Sequence, residues 1–83
     1  MRIIKRSGEE QEFNPKKISV AIGKANGSVT KDKQFPENYI PAYTAQAVAA
    51  CENLGHTPTV QEVQDIVEDV LMDSGCHEVA RAY

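Results

Sequence analysis

The chain has 83 residues and a formal net charge of −3, from 9 Lys and Arg against 12 Asp and Glu. A chain of this length forms one domain with a small core, and its ordinary apolar and charged fractions argue against disorder throughout. It has no apolar run long enough to cross a membrane and no basic-then-apolar leader for secretion. We therefore expect a single cytoplasmic domain over residues 1–83, without a membrane partner.

The charges are distributed unevenly along the chain. Residues 1–33 contain eight of the nine Lys and Arg with four acids, whereas residues 34–83 contain only Arg81 with eight acids. A basic front half on an acidic protein favours a local anionic partner over a long stretch of nucleic acid. From the charge distribution alone, the alternative is that these Lys and Arg residues form a solvated surface without a partner.

The chain begins with a predicted β-hairpin. Residues of high strand propensity in the segment 2–6 run into a Ser7-Gly8 turn, and residues 10–13 can fold back on them. Lys5 and Arg6 lie directly before the turn. The hairpin therefore presents two adjacent cations and leads straight into the first predicted helix.

The first predicted helix starts at Asn14, as N-cap, with Pro15 in the first helical position. It is predicted to run to about Ala25 and to stop at Asn26-Gly27. Its apolar face, at three-four spacing, comprises Ile18, Ala21, Ile22 and Ala25. Lys17 lies in the first turn, where a cation opposes the helix dipole, so a bound anion such as a phosphate would account for it.

Three further helices are predicted after an exposed loop over residues 27–37. The second helix starts near Glu37–Ile40 and stops at Gly55. The third has the clearest start, because Thr59 and Glu62 fit a capping box in which each satisfies the other's backbone N–H. A fourth helical pattern, over residues 79–83, reaches the last residue without a stop signal, so we expect the chain to be a piece of a longer protein.

Enzymatic and metal chemistry have little support in the sequence. No nucleophile has a nearby His base, and no spacing singles out two carboxylates for acid–base work. The Cys and His residues lack the paired spacing of zinc motifs, and the common Gly-rich phosphate loops are absent. We expect no catalytic residue and no metal site. The candidates for an anion site are Lys5, Arg6 and Lys17.

Four sequence blocks follow one another in a specific order. They are Ile3-x-Lys5-Arg6-x-Gly8, then Phe13-Asn14-x-x-Lys17-Ile18-x-x-Ala21-Ile22-x-x-Ala25, then Thr59-Val60-x-Glu62-Val63-Gln64-Asp65-x-Val67-Glu68-x-x-Leu71, and finally Val79-Ala80-Arg81-Ala82-Tyr83. Together they resemble the ATP-cone domain, the nucleotide-sensing module at the N-terminus of many ribonucleotide reductases. The likeness covers essentially the whole chain, and the final block looks most like the anaerobic ribonucleoside-triphosphate reductase.

The resemblance implies an α+β fold that is mostly α, a four-helix bundle capped by a small sheet. That sheet would consist of the N-terminal hairpin and one short strand near residues 56–58. The resemblance also implies that ATP and dATP, with or without bound magnesium, compete for the domain. Exchange of one nucleotide for the other would switch the reductase on or off. The domain itself would be non-catalytic and without a cofactor. Its partners would be an adenine nucleotide, the catalytic domain of the parent oxidoreductase and a second copy of the cone.

The resemblance further implies a set of nucleotide-binding residues by position. Lys5, Arg6 and Lys17 would contact the phosphates. Ile3, Gln11, Asn14 and Ile18 would line the base and sugar, and Val60 and Gln64 would close the site from the third helix. The sequence departs from the family at Ser7, where Asp is usual, and at Gln11, where an acid is common. Further family ligands lie beyond the position of Tyr83.

A module of another class is the alternative. The basic front half could serve a helical domain that binds nucleic acid or docks to another protein, or the chain could only oligomerise. A steep salt dependence with a DNA duplex, together with no response to nucleotides, would favour nucleic-acid binding. The four blocks favour nucleotide sensing, so nucleic acid is not an expected partner.

Overall fold

The computed structural model describes residues 1–83 as four α-helices and a two-stranded antiparallel sheet. The strands are β1 (Arg2–Ile4) and β2 (Glu10–Glu12), and the helices are α1 (Lys16–Ser28), α2 (Ile40–Glu52), α3 (Val60–Asp73) and α4 (His77–Ala82). Two short 3-10 turns, Lys31–Lys33 and Glu37–Tyr39, lie between α1 and α2. The architecture confirms the predicted α+β class with mainly helical content.

The N-terminal hairpin forms as predicted, with Ile3 opposite Gln11 in its register. Ile3 is buried at 3% exposure, and this attaches the hairpin to the core. The turn closes through hydrogen bonds from the Lys5 N–H to the Glu9 carbonyl at 2.7 Å and from the Gly8 N–H to the Lys5 carbonyl at 2.8 Å. Gly8 has φ of 89°, a left-handed conformation that glycine adopts without a steric penalty.

The third strand expected near residues 56–58 is reduced to one parallel bridge between Ile4 and Thr59. The Ile4 N–H donates to the Pro58 carbonyl at 2.9 Å. Pro58 has no N–H to return, so a longer ladder cannot form there. The bridge nevertheless fixes the edge of the hairpin against the start of α3.

The first helix continues through its predicted stop and ends at Ser28. Asn26 is buried, and its side chain donates to the Phe35 carbonyl at 2.9 Å and accepts from the Phe35 N–H at 3.0 Å. The prediction of a stop at Asn26-Gly27 was wrong because this tertiary bond holds Asn26 in the helix. Phe35 is itself 9% exposed, so the loop over residues 27–37 is not wholly exposed as predicted.

The start of α1 differs from the prediction by one or two residues. The regular helix begins at Lys16, and Pro15 precedes it with a helical φ of −57°. Asn14 still satisfies a free backbone donor, because its Oδ1 accepts from the Lys16 N–H at 3.0 Å. Asn14 therefore caps the first turn, although it does not occupy the N-cap position itself.

The core lies where the four helices meet the hairpin. Its largest fully buried side chains are Ile18, Ile22, Leu71, Val67, Val79 and Cys51. α3 contributes one apolar stripe, and each large apolar side chain that it buries contributes about 1.5–3 kcal/mol to stability. The predicted capping box is present, since the Glu62 N–H donates to Thr59 Oγ1 at 3.1 Å and the Thr59 N–H donates to Glu62 Oε1 at 3.0 Å. No helix has the length and apolar character needed to span a membrane.

Candidate functional site

A small apolar cleft lies between the hairpin, α1, α3 and the last residue of the chain. Its volume is about 110 Å³, and it is lined by Ile3, Phe13, Lys17, Ile18, Val60, Val63, Gln64 and Tyr83. Small-molecule sites usually measure about 300–1,000 Å³, so this apolar cleft can enclose only a ring-sized part of such a ligand. Its polar groups are the Lys17 ammonium, the Gln64 amide and the Tyr83 hydroxyl.

Three elements position the walls of the apolar cleft. Ile3 points inward from β1, and Ile18 is buried at 2% exposure in the first turns of α1. Val60 and Gln64 are four residues apart on α3, so they lie on the same side of that helix. The bridge between Ile4 and Thr59 joins the hairpin to the start of α3, so two walls of the cleft are linked directly.

Lys17 is the only cation that lines the apolar cleft. Its Nζ lies 5.9 Å from the centroid of the Phe13 ring, which is within the range of a cation–π contact. Lys17 takes part in none of the salt bridges of the protein. An ammonium group without a carboxylate partner is free to bind an external anion at the rim.

The other polar groups of the cleft suit a planar, partly polar ligand. The Gln64 amide offers a donor and an acceptor and forms no hydrogen bond with another protein side chain. Tyr83 closes the cleft from the C-terminal end, and burial raises the pKa of its hydroxyl, so the group stays neutral at pH 7. An aromatic ring system with donors and acceptors on its edge fits these surroundings.

The structure brings together five of the nine residues predicted for the nucleotide. These five are Ile3, Lys17, Ile18, Val60 and Gln64. Lys5 and Arg6 are exposed beside the hairpin turn and do not line the cleft. Gln11 is half-buried opposite Ile3, on the same face of the hairpin, and Asn14 caps the first turn of α1. Neither of these two lines the cleft either.

Three residues that line the cleft were missing from the predicted set: Phe13, Val63 and Tyr83. Phe13 could have been found, because it is an aromatic residue between the last strand of a hairpin and a helix start. Val63 lies three residues after Val60 on the same helix side, so the helical period also indicated it. Tyr83 had no local signal, since only the packing of α4 brings it next to the hairpin and α1.

The largest cavity, about 500 Å³, lies elsewhere, between the loop after α1 and the start of α4. We call it the far cavity, and its lining includes Asp32, Lys33, His77, Glu78 and Arg81. The charges there are mixed, and Arg81 is already bonded to Glu78 at 2.6 Å. No group of three or more His, Cys, Asp or Glu side chains could hold a metal ion. The apolar cleft, with its unpaired cation, is therefore the better candidate site.

Comparison with known proteins identifies the family. The whole chain, residues 1–83, matches the family described as the ATP cone domain. The alpha subunit of the ribonucleoside-diphosphate reductase of Chlamydia trachomatis is 32% identical over 91 residues, which cover 100% of this chain and 9% of the relative. The vitamin B12-dependent ribonucleoside-diphosphate reductase of Thermoplasma acidophilum is 38% identical over 72 residues, which cover 87% of this chain and 9% of the relative.

These relatives bear on the expected type of parent reductase. A third, the alpha subunit from Chlamydia pneumoniae, is 33% identical over 88 residues and again only 8% of its length is covered. All three are named as diphosphate reductases, so they support a ribonucleotide reductase in general. They give no support to the anaerobic triphosphate type that the final sequence block resembles.

Proposed function

The chain belongs to the ATP-cone family, and from that premise we propose that it binds ATP or dATP at the apolar cleft and regulates a ribonucleotide reductase. The observation that carries this proposal is the convergence of Ile3, Ile18, Val60 and Gln64, from three separate elements, on one cleft with Lys17 at its rim. The domain acts as a regulator and performs no chemistry itself.

The adenine ring occupies the apolar cleft in this proposal. Ile3, Ile18 and Val60 provide apolar walls, and the apolar groups of a ligand gain about 25 cal/mol for each Å² that they remove from water. The Gln64 amide can bond to the polar edge of the base. Gln11 and Asn14 lie beside the cleft rather than in it, so we assign them contacts to the sugar.

The phosphates leave the cleft past Lys17. Each charge-assisted hydrogen bond to a phosphate contributes about 1.5–3 kcal/mol, so one lysine alone accounts for modest affinity. Lys5 and Arg6 have no carboxylate partner and can reach the phosphates from the hairpin side. We propose that any magnesium arrives with the nucleotide, since no group of three or more His, Cys, Asp or Glu side chains could hold a metal ion.

Regulation follows from the difference between the two nucleotides. ATP and dATP differ by one sugar hydroxyl, and their exchange changes how the domain contacts the catalytic part of its reductase or a second cone. The relatives favour a diphosphate reductase as the parent, whereas the block from Val79 to Tyr83 resembles the anaerobic triphosphate reductase. Either type is an oxidoreductase that such a domain can regulate, and we propose a cytoplasmic location for the parent enzyme.

Calorimetric titration tests the proposal. ATP and dATP should each bind and compete with one another, and a generic DNA duplex should bind weakly or not at all at moderate salt. Sedimentation of the full-length reductase should then change when ATP is replaced by dATP. If neither nucleotide gives a binding signal, and if the domain binds the duplex with an affinity that falls steeply as salt rises, the domain is instead a nucleic-acid-binding module.

A further inference from the structure

The Asn26-Gly27 pair near the end of α1 has a chemistry that nucleotide binding does not use. Asparagine is a thermolabile residue, and its side-chain amide is lost most readily where glycine follows, because no side chain shields the next backbone nitrogen. Gly27 is exposed. Apart from its chain neighbours and the backbone of its own helix, no heavy atom lies within 4 Å of the position that a Cβ would take there. The pair is therefore a candidate site of covalent modification.

The modification, deamidation, needs only water as a co-reactant. The Gly27 backbone nitrogen gives up its proton and attacks Cγ of Asn26, the new C–N bond closes a cyclic imide, and Nδ2 leaves as ammonia. Water then opens the imide at either of its carbonyls, which leaves aspartate or isoaspartate at position 26. Nothing is oxidised or reduced, and the net change is the exchange of an amide for a carboxylate.

The Asn26 amide is held in place by the backbone of Phe35. Its Nδ2 donates to the Phe35 carbonyl at 2.9 Å, and its Oδ1 accepts from the Phe35 N–H at 3.0 Å. Asn26 is 3% exposed, and the Phe35 ring packs edge-on against Tyr43 with 5.0 Å between the ring centroids. The side chain of Asn26 must therefore leave both bonds before its Cγ can react.

The helical backbone is a second obstacle to the reaction. Asn26 and Gly27 both lie within α1, which ends at Ser28. In an α-helix each N–H points along the axis towards the carbonyl four residues earlier, so the Gly27 nitrogen does not face Asn26 Cγ. Ring closure needs a rotation about ψ of Asn26, and this rotation breaks the last turn of the helix. The reaction thus requires local opening at the end of α1, which costs less free energy than global unfolding.

We propose that Asn26 is a site of spontaneous deamidation that the fold blocks, and that its conversion permanently releases the segment over residues 29–35. After conversion one carboxylate oxygen still accepts from the Phe35 N–H, but the other faces the Phe35 carbonyl, acceptor against acceptor. A buried charge with an unpaired oxygen is costly, so the segment leaves α1. Neither Asn26 nor Phe35 lines the apolar cleft, so this inference does not depend on the proposed function.

The rate of conversion tests the block. Wild type is kept in native buffer and in guanidinium chloride, and the tryptic peptide Ala25–Lys31 is followed by mass spectrometry. Opening is fast compared with deamidation, so the native rate follows the population of the open form and should be about tenfold or more below the denatured rate. Gly27→Ala, which fits the free space there, should lose most of the conversion in denaturant. Phe35→Ala should speed conversion in native buffer only.

The melting temperature tests the consequence of conversion. Asn26→Asp places the product carboxylate against Phe35 and should lower the melting temperature by about 8 °C or more. Asn38→Asp, at an exposed asparagine, is the matched control and should shift it by about 4 °C or less. Equal wild-type rates in buffer and denaturant would overturn the block, and no conversion in denaturant would overturn the site. An Asn26→Asp variant that melts as wild type does would overturn the release of the segment.

Discussion

The starts of α1 and α3 face the same cleft but are built differently. α3 begins with a complete capping box, in which Thr59 and Glu62 satisfy each other at 3.1 and 3.0 Å. α1 begins with one side-chain contact, between Asn14 and the Lys16 N–H, and has no acid in its first turn. The Lys17 and Ile18 N–H groups donate to the Asn14 and Pro15 carbonyls at 3.0 and 2.9 Å, so the backbone donors of the first turn are satisfied. No carboxylate of that turn offsets the positive end of the α1 dipole.

α1 and α3 also differ in the charges that they carry along their length. α1 carries three lysines and no acid, whereas α3 carries five acids and no Lys or Arg. The lysines of α1 attract a phosphate, whereas the acidic outer face of α3 repels it. On this basis we propose that α1 is the wall of the site that attracts the ligand and that α3 is a second, structural wall.

Truncation of Leu71 should give the largest effect and tests the structural role of α3. Leu71 is 0% exposed, so Leu71→Ala removes core packing and leaves a cavity. We expect the free energy of unfolding to fall by about 2–5 kcal/mol in a denaturant titration. Met72→Ala is the control, since Met72 is 40% exposed and its loss should cost about 0.5 kcal/mol or less. Similar losses from the two variants would contradict the packing described for α3.

Removal of the Lys17 ammonium tests the ligand-attracting role of α1. Lys17→Ala should weaken ATP binding by about 1–3 kcal/mol, because a charge-assisted contact to phosphate is lost. The denaturation midpoint should stay as in wild type, since Lys17 is exposed and forms no salt bridge. Lys33→Ala, at the far cavity, should change neither quantity. A Lys17→Ala variant that binds ATP as wild type does would remove α1 from the site.

Removal of one cap from each helix sharpens the comparison further. Thr59→Ala should lower the free energy of unfolding by about 1 kcal/mol, because the α3 capping box loses its hydroxyl. Asn14→Ala should cost less, about 0.5 kcal/mol, since Asn14 is exposed and accepts a single bond. Chemical denaturation of the two variants checks the order. A larger loss from Asn14→Ala would show that α1, rather than α3, depends on its cap.

The pH dependence of stability tests the charged half of the α3 cap. A hydrogen bond from the Thr59 backbone and a second contact with His56 hold the pKa of Glu62 below its ordinary value of 4.5. A lowered folded-state pKa means that the carboxylate stabilises the fold above about pH 4.5 and that this contribution is lost as the pH falls through the lower value. Glu62→Gln should reduce the dependence of the melting temperature on pH in this acid range. An unchanged acid profile in that variant would assign the dependence to other carboxylates.

Local signals in the sequence predicted most of the fold. The capping box at Thr59, the hairpin turn at Gly8 and the period of α3 all depend on residues close in the chain, and the structure has them. Asn26 shows the limit, because Asn-Gly usually ends a helix, but here a bond to the distant Phe35 backbone overrides that preference. The third strand also depended on a long-range pairing, and Pro58 restricts it to one bridge.

The candidate residues came mainly from the family resemblance. It implied Ile18, Val60 and Gln64 by position, and the place of Lys17 in the first turn of α1 had also indicated an anion site; all four line the cleft. Tyr83 could not be predicted, because its place depends on how α4 packs. The assignment of phosphate contacts to Lys5 and Arg6 stays a prediction, since a flexible side chain at an exposed turn is not positioned until a ligand is bound.

The most direct test of the account is NMR spectroscopy of the labelled chain during titration with ATP. We predict that the largest chemical-shift changes fall on the backbone amides of Lys17, Ile18, Val60 and Gln64, while those around the far cavity stay constant. The same pattern should be weaker for Lys17→Ala at equal ATP concentration. Changes concentrated at the far cavity, or the absence of any change at millimolar ATP, would contradict the account.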